Sequence, residues 1–239
     1  AIPEAQWASG EVRNMPVLIE RTLPHGILVN REGKRFCNEA ANYSALAGAF
    51  HRFEPATYDY PNMPAYLVFD SHYRERYPLA SFMPGTPLPD WVAKADTFEA
   101  LAAKIGVDGG NLPATVSRFN DLAERLDDQD FGRGKTDYDR FYGDRSRNGA
   151  AATLGALTKP PFYAVEIKMG ALGTNGGPKT NAQAQILDVD GQPIAGLFGA
   201  GNVISAPTGS VYAGAGGTLG PALTFGYIAG RAAAKRVNQ

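Results

Sequence analysis

The sequence of 239 residues predicts a mixed α+β region followed by a glycine-rich segment, and its composition changes near residue 165. Before that point, apolar runs typical of strands alternate with two stretches of amphipathic helical spacing. After it, glycines cluster in residues 170–177 and again in residues 196–230. We therefore expect two structural regions. In the second, glycines would let main-chain segments pack closely against each other or against a ligand.

The first region begins with a predicted hairpin. Residues 26–30 form an apolar strand, a polar turn with a glycine follows, and residues 35–38 return as the second strand. Further along, residues 44–50 are predicted to be helical, and residues 64–70 and 162–168 to be strands. In residues 73–89 prolines and aromatic residues alternate without a period, which predicts irregular structure.

Two amphipathic helices are predicted between these strands. The first begins at an Asx cap, Asp96, which has Glu99 three residues later. The second runs from residue 112 to residue 126 with Asn111 as its cap, and its charges fall on the side opposite its apolar face. Charge and glycine dominate residues 127–148, which we expect to form a surface excursion.

The second region contains a predicted hairpin and a glycine-rich loop. Residues 184–188 and 193–194 pair across a polar turn, and the chain continues into a short buried strand. A glycine-rich loop with Tyr212 and a helix of small residues follow. Dense glycine lets main-chain N–H groups approach a ligand, and a helix that begins after the loop directs its dipole there. This pattern predicts the edge of a cofactor site.

Composition limits the classes of function. The net charge is −1, with 23 basic and 24 acidic residues mixed along the chain, so no nucleic-acid partner is expected. No apolar run is long enough for a transmembrane segment. Cys37 is the only cysteine, which excludes an internal disulfide and predicts a partly buried, inert thiol in a cytoplasmic protein, with membrane association left open.

No metal site is predicted from the histidines. His25, His51 and His72 are widely separated along the chain, and we expect them to be structural or at the surface. The chain begins Ala-Ile-Pro-Glu, with no initiator methionine and no signal-like segment. We expect it to be a segment or subunit of a longer catalytic unit.

Several stretches resemble flavoproteins of the fumarate reductase and 3-ketosteroid dehydrogenase superfamily. They are residues 26–39, 95–102, 161–165, 173–177 and 196–202. Within that superfamily, residues 212–228 resemble the C-terminal signature of the 3-ketosteroid Δ1-dehydrogenases. The resemblance covers nearly the whole chain and implies FAD as the cofactor and a 3-ketosteroid as the substrate.

The resemblance also implies a domain division. Residues 23–164 correspond to an α+β catalytic (capping) domain, and residues 165–239 to the C-terminal part of an α/β FAD-binding Rossmann-like domain. Residues 1–22 correspond to a tail or linker of the FAD domain. Family members open with a strand and a Gly-x-Gly-x-x-Gly turn, and this chain has no such turn before a plausible helix. We therefore expect a companion polypeptide to carry the N-terminal FAD-binding half.

The resemblance assigns roles to particular residues. Tyr212 and the N–H of Gly216 correspond to the groups that hydrogen-bond the ketone, and Tyr43 corresponds to the base that accepts the proton while FAD takes the hydride. Residues expected against the flavin are Ala200, Gly201, Asn202, Gly217, Leu219, Gly220, Pro221, Ala222 and Leu223. A tyrosine hydroxyl and the N–H of a glycine four residues later can both donate to one ketone oxygen, because glycine permits the backbone to approach closely.

Alternatives remain open. Tyr58 and Tyr60 compete with Tyr43 for the role of base, and each site residue has a purely structural interpretation. Reduction of fumarate-like dicarboxylates would need cationic side chains as clamps, whereas the loop around Tyr212 carries Ala, Gly and Val; an apolar ketone is favoured. A ketosteroid dehydrogenase acting at another position and a non-catalytic subunit that supplies only substrate-binding surface are the other candidates.

Overall fold

A computed structural model describes residues 1–6, 12–209 and 214–237. The chain divides into two compact units, Ala1–Met169 and Gly170–Gln239. The strands are β1 (Ile2–Gln6), β2 (Val12–Met15), β3 (Gly26–Asn30), β4 (Ala65–Phe69), β5 (Ala93–Ala95), β6 (Phe162–Ile167), β7 (Gln185–Leu187) and β8 (Pro193–Phe198). The helices are α1 (Tyr43–Phe50), α2 (Ser71–Arg76), α3 (Phe98–Ile105), α4 (Asn111–Glu124), α5 (Asp137–Phe141) and α6 (Leu219–Val237).

An antiparallel sheet in the order β3-β4-β6-β5 forms the centre of the first unit. The strands predicted at 26–30, 64–70 and 162–168 are confirmed. The predicted hairpin is wrong, because β3 pairs along its length with β4 and meets residues 35–38 only at a single bridge, Val29 to Arg35. Strand β4 is an uninterrupted apolar run, whereas the segment after the turn contains Arg35 and Asn38, whose side chains bind Glu39 and Asp139.

Alternating side chains of the sheet enter two separate cores. On one face, Leu28 and Leu67 pack in a cluster that includes Leu46 and Phe50 of α1. On the other face, Ile27, Val29 and Val68 pack in a cluster with buried residues of α3 and α4: Leu101, Ala102, Leu112, Val116, Phe119 and Ala123. Side chains two residues apart share a face. The sheet is therefore the middle layer of the first unit, and both of its faces are covered.

The predicted helices form, but their caps differ. Thr97, not Asp96, caps α3, and its hydroxyl accepts from the N–H of Ala100 at 3.2 Å. Helix α4 includes Asn111, and the side chain of Asp108 accepts from the N–H groups of Gly110 and Asn111. Part of the region predicted to be irregular is helical, since α2 extends to Arg76.

Residues 127–148 do not form a simple surface excursion. Asp128 and Arg133 are fully buried, and they complete what we call the buried ionic cluster, Arg35, Glu39, Asp128 and Arg133. Arg35 binds Glu39 at 2.7 Å and Asp128 at 2.9 Å, and Arg133 lies 3.2 Å from Glu39. A charged side chain is stable in the interior when it is paired with an opposite charge. The ion pairs of Asp128 and Arg133 therefore allow this segment to pack inside the first unit.

The second unit is built on the predicted hairpin of β7 and β8, which is confirmed. The prediction that β8 is buried is wrong, since residues 193–197 are exposed. In the described part of this unit β8 pairs with β7 alone, and a two-stranded sheet buries little surface. Helix α6 begins at Leu219 and matches the predicted helix of small residues. None of the helices in the described ranges has the length and apolar character needed to cross a bilayer.

Candidate functional site

Tyr43 is the first residue of α1 and is partly buried. Asn42 caps the helix, and its side chain accepts from the N–H of Ser44 at 2.8 Å. The guanidinium of Arg21 donates to the carbonyl groups of Glu39 and Ala41. The Arg21 hydrogen bonds and the Asn42 cap thus fix the backbone on either side of Tyr43. The position of the Tyr43 backbone on the first unit is therefore well defined.

The segment before Tyr43 rests on the buried ionic cluster. Glu39 accepts from the N–H of Leu28 at 3.1 Å in addition to its two guanidinium partners. Burial alone would raise the pKa of Glu39, but the charges of Arg35 and Arg133 outweigh it, and the pKa lies below its usual value. Cys37 is a free thiol and is buried rather than only partly buried, and this burial raises the pKa of the thiol, in line with the prediction of low reactivity.

The competing tyrosines lie in a different setting. Tyr58 is 85% exposed and Tyr60 is 40% exposed, and both rings contact Phe53 edge-on. A cavity of about 870 Å³ on the first unit, lined in part by Arg74, Trp91 and Tyr163, includes no predicted site residue. Tyr43 is distinguished from Tyr58 and Tyr60 by its lower exposure and its helical position.

In the second unit the structure brings two groups of predicted cofactor residues together. Gly201 has φ 73°, and a Cβ atom built on it would lie 3.4 Å from the Cβ of Ala222. The turn of Gly201–Val203 therefore packs on the first part of α6. The N–H of Gly176 lies 3.4 Å from the carbonyl oxygen of Asn202, so the other glycine-rich stretch adjoins the same edge.

The glycine loop before α6 is only partly described. Tyr212 lies outside the described residues. Gly216 has φ 84°, its Cβ position is open, and its carbonyl accepts from the N–H of Gly220 at 2.8 Å. The N–H of Gly217 donates to the carbonyl of Gly214 at 2.9 Å. The N–H groups of Gly217 and Gly220 therefore donate to other residues of the turn and are not available to a ligand. These two glycines can still allow a ligand to come close, because they have no side chain.

Gly199 is required by packing within the second unit. A Cβ atom at this position would lie 2.5 Å from Ile204 and 2.6 Å from Ile186. We expect Gly199→Ala to lower the free energy of unfolding by about 1–3 kcal/mol, the usual cost of overpacking. Chemical denaturation followed by far-ultraviolet circular dichroism measures it. Gly173→Ala is the control, because the space around that Cβ is open; equal stability of the two variants would refute the packing argument.

Sequence separation misled the prediction for the histidines. His25 and His72 are not scattered in space: their ring centroids are 5.1 Å apart, and Asp70 lies between them in the chain and beside both in the fold. His51 lies elsewhere, edge-on to Tyr60. The pairing of β3 with β4 brings residue 25 close to residue 70, and this non-local contact has no signal in either segment alone.

Comparison with known proteins gives a consistent picture. Residues 4–219 match the family described as FAD binding domain. The chain is 46% identical to the 4-oxocyclohexanecarboxylate 2-dehydrogenase of Sinomonas cyclohexanicum over 95% of its own length and 41% of the relative. It is 43% identical to the 3-oxosteroid 1-dehydrogenase of Mycobacterium tuberculosis over 89% of its length and 39% of the relative.

A solved structure is similar over nearly all of the chain. The 3-ketosteroid Δ1-dehydrogenase of Sterolibacterium denitrificans, solved with 1,4-androstadiene-3,17-dione, aligns with a TM-score of 0.87 and 37% identity. The alignment covers 98% of this chain and 43% of that protein. The chain thus spans about two fifths of the length of the curated relatives that it matches.

Proposed function

Because the chain belongs to the FAD binding domain family, whose cofactor is FAD, we propose that it is part of a flavoprotein that dehydrogenates a 3-ketosteroid between C1 and C2. The observation that carries the proposal is the 43% identity to a 3-oxosteroid 1-dehydrogenase, together with the 0.87 TM-score of the ketosteroid enzyme. Two hydrogens leave adjacent carbons beside a ring ketone in this reaction.

The proposal includes a companion polypeptide with the N-terminal FAD-binding half. One face of α6 supports it, since Leu219, Leu223 and Tyr227, spaced four residues apart, are 67%, 72% and 66% exposed. Ile194 and Leu197 of strand β8 are also exposed. A row of exposed apolar side chains on one helix face marks an interaction site. The further polypeptide would cover this surface and complete the flavin site.

The residues of the second unit fit a flavin edge. The open Cβ positions of Gly214 and Gly216, both with positive φ, leave the backbone accessible to a planar group. Ala200, Gly201, Asn202, Gly217 and residues 219–223 would hold the cofactor. FAD, when bound, supplies the acceptor for the hydride. Gly217 and Gly220 would contribute close approach, because their N–H groups are already bonded.

The proton chemistry falls to this chain in the proposal. Tyr212 and the N–H of Gly216 donate to the ketone oxygen, where negative charge develops as the neighbouring C–H is broken. Tyr43 accepts that proton. A free phenol has a pKa of about 10, so Tyr43 needs positive potential or a hydrogen bond to act near neutral pH. Arg21 brings a positive charge to the segment that leads into Tyr43.

A monocyclic keto acid is the second candidate substrate. The relative that is 46% identical carries 4-oxocyclohexanecarboxylate in its name, and this too is a ring ketone. The same three groups could polarise that ketone and accept its proton. The two substrates differ in their apolar area and in the carboxylate, so parallel assays of both decide between them. Turnover of neither in the complete protein would favour a non-catalytic role.

The proposed function is tested by reconstitution. The chain is combined with the N-terminal half of a ketosteroid dehydrogenase and FAD, and reduction of an artificial electron acceptor is followed with a 3-ketosteroid or 4-oxocyclohexanecarboxylate. We expect the steroid to be turned over and the flavin spectrum to require both polypeptides. Flavin retained by this chain alone would contradict the shared site.

In the same assay, Tyr212→Phe is expected to lower the rate by about 10²-fold or more, because one donor to the developing oxyanion is lost. Tyr58→Phe is the control, since this tyrosine is exposed and its ring contact survives the change. Full turnover by Tyr212→Phe would exclude the assigned role of its hydroxyl.

A further inference from the structure

Three potential metal ligands converge on the first unit, and none of them is assigned to the flavin or the ketone. His25 precedes β3, Asp70 follows β4 and His72 lies in α2. One ligand atom of each residue lies within 4.8 Å of those of the other two. Two imidazoles and a carboxylate suit a borderline-soft divalent ion such as Zn²⁺. We propose that His25, Asp70 and His72 bind a divalent transition-metal ion, with water completing its coordination.

The spacing of Asp70 and His72 is already close to that of ligands on one ion. Nδ1 of His72 lies 2.9 Å from Oδ2 of Asp70. Ligand atoms about 2.0 Å from a tetrahedral Zn²⁺ lie about 3.3 Å from each other. The ion would take the place of the proton that these two atoms share. The side chain of His72 is 43% exposed, so it can adjust and the ion can enter from solvent.

One ring nitrogen of His25 is held by a hydrogen bond, as it is in many histidines that bind metals. Its Nδ1 lies 2.7 Å from the carbonyl oxygen of Ala156, which leaves Nε2 with the available lone pair. Fixing one ring nitrogen in this way orients the other toward a metal. The main-chain N–H of His25 also donates to the carbonyl of Gly155, and the ring packs so closely on Gly155 that a Cβ there would lie 2.8 Å from it.

Asp70 is supported in the same manner. Its Oδ2 accepts from the N–H groups of Thr158 and Lys159 at 2.9 and 3.0 Å, and its Oδ1 accepts from the N–H of Tyr73. The carboxylate is fully buried and fixed by these donors. Hydrogen-bonded carboxylates of this kind keep their position when a metal binds. The ligand atoms of His25, Asp70 and His72 lie within 4.8 Å of one another. To bind a tetrahedral ion, the distances between them would have to shorten by at most about 1.5 Å.

Arg147 competes for the same nitrogen. Its Nη2 lies 3.3 Å from Nε2 of His25, and its Nε lies 3.9 Å from Oδ2 of Asp144. A bound ion would displace the guanidinium toward Asp144. Removing the competing donor and its positive charge should therefore strengthen metal binding, a result that a purely structural histidine pair would not produce.

The test uses the full 239-residue chain, stripped of metal and titrated with Zn²⁺ in competition with a chromophoric chelator. We expect one Zn²⁺ per chain and a rise of the melting temperature on binding. His72→Ala should lower the affinity at least about 10-fold, and Arg147→Gln should raise it. His51→Ala, the remaining histidine, should leave it unchanged.

Titration with Co²⁺ provides an independent readout, since visible absorption of the bound ion should appear with the wild-type chain and be lost in His72→Ala. Equal affinities of the wild type and His72→Ala, or an equal loss in His51→Ala, would overturn the proposal. Each variant is checked by circular dichroism, and the exposed position of His72 makes it the safest ligand to remove. No step depends on flavin or on turnover.

Discussion

Replacing Tyr43 by phenylalanine is expected to lower the dehydrogenation rate of the reconstituted flavoprotein by about 10²- to 10⁴-fold, the range of a positioned general base. The ring and its packing remain, since only the hydroxyl is removed. Asn42 still caps α1 and Arg21 still binds the preceding carbonyl groups, so the helix should form as before. The measurement is the initial rate of acceptor reduction at saturating substrate.

Two further readouts separate a base from a packing residue. In the proposed role, Tyr43→Phe lowers kcat and leaves the KM for the steroid nearly unchanged, because the hydroxyl takes the proton in the reaction step and does not contribute to substrate binding. Tyr60→Phe is the matched control, because Tyr60 is a tyrosine that competes for the same assignment. If Tyr60→Phe loses activity and Tyr43→Phe does not, the assignment of the base is wrong.

Local patterns predicted the elements of the first unit well. The apolar runs of β3, β4 and β6 and the amphipathic faces of α3 and α4 all appear where periodicity places them. The failures were non-local. The strand after residue 34 looked like the partner of β3, yet the true partner begins at Ala65. Strand pairing depends on which segment can be buried on both faces next to β3. The sequence that directly follows β3 does not contain that information.

The candidate site shows the same limit. The glycine pattern predicted an edge made of residues 200–202 and the start of α6, and Gly201 does pack on Ala222. Ion pairs across 93 residues, such as Arg35 with Asp128, could not be seen in a charged, glycine-rich stretch. The meeting of His25 with His72 likewise follows from the register of β3 and β4, in which Gly26 lies opposite Phe69.

Glu39→Gln is expected to lower the free energy of unfolding of the first unit by about 3–5 kcal/mol, the cost of leaving a buried charge without its partner. The amide keeps the volume of the side chain, so no cavity forms. It removes the carboxylate that Arg35 and Arg133 share and leaves Asp128 to balance both. Urea unfolding followed by tryptophan fluorescence reports this unit, since both tryptophans precede Met169.

Glu32→Gln is the control for the same chemical change at the surface. Glu32 binds Lys34 at 3.0 Å with both side chains about half exposed, and exposed pairs contribute about 1 kcal/mol or less. The comparison isolates burial, because both substitutions remove one carboxylate next to one or more cations. A loss of the same size in the two variants would mean that the burial of the ionic cluster has no energetic consequence.

The pH dependence identifies charge as the cause. Burial would raise the pKa of Glu39, but Arg35 and Arg133 lower it below its usual value. Because the pKa of Glu39 is lower in the folded than in the unfolded protein, its ionised carboxylate stabilises the fold fully at pH values above the unfolded pKa of about 4.3. This stabilisation is lost as the pH falls through the lower pKa of the folded state. The stability difference between the wild type and Glu39→Gln should therefore shrink below about pH 4. A difference that stays constant from neutral to acid pH would assign the effect to packing of the amide instead.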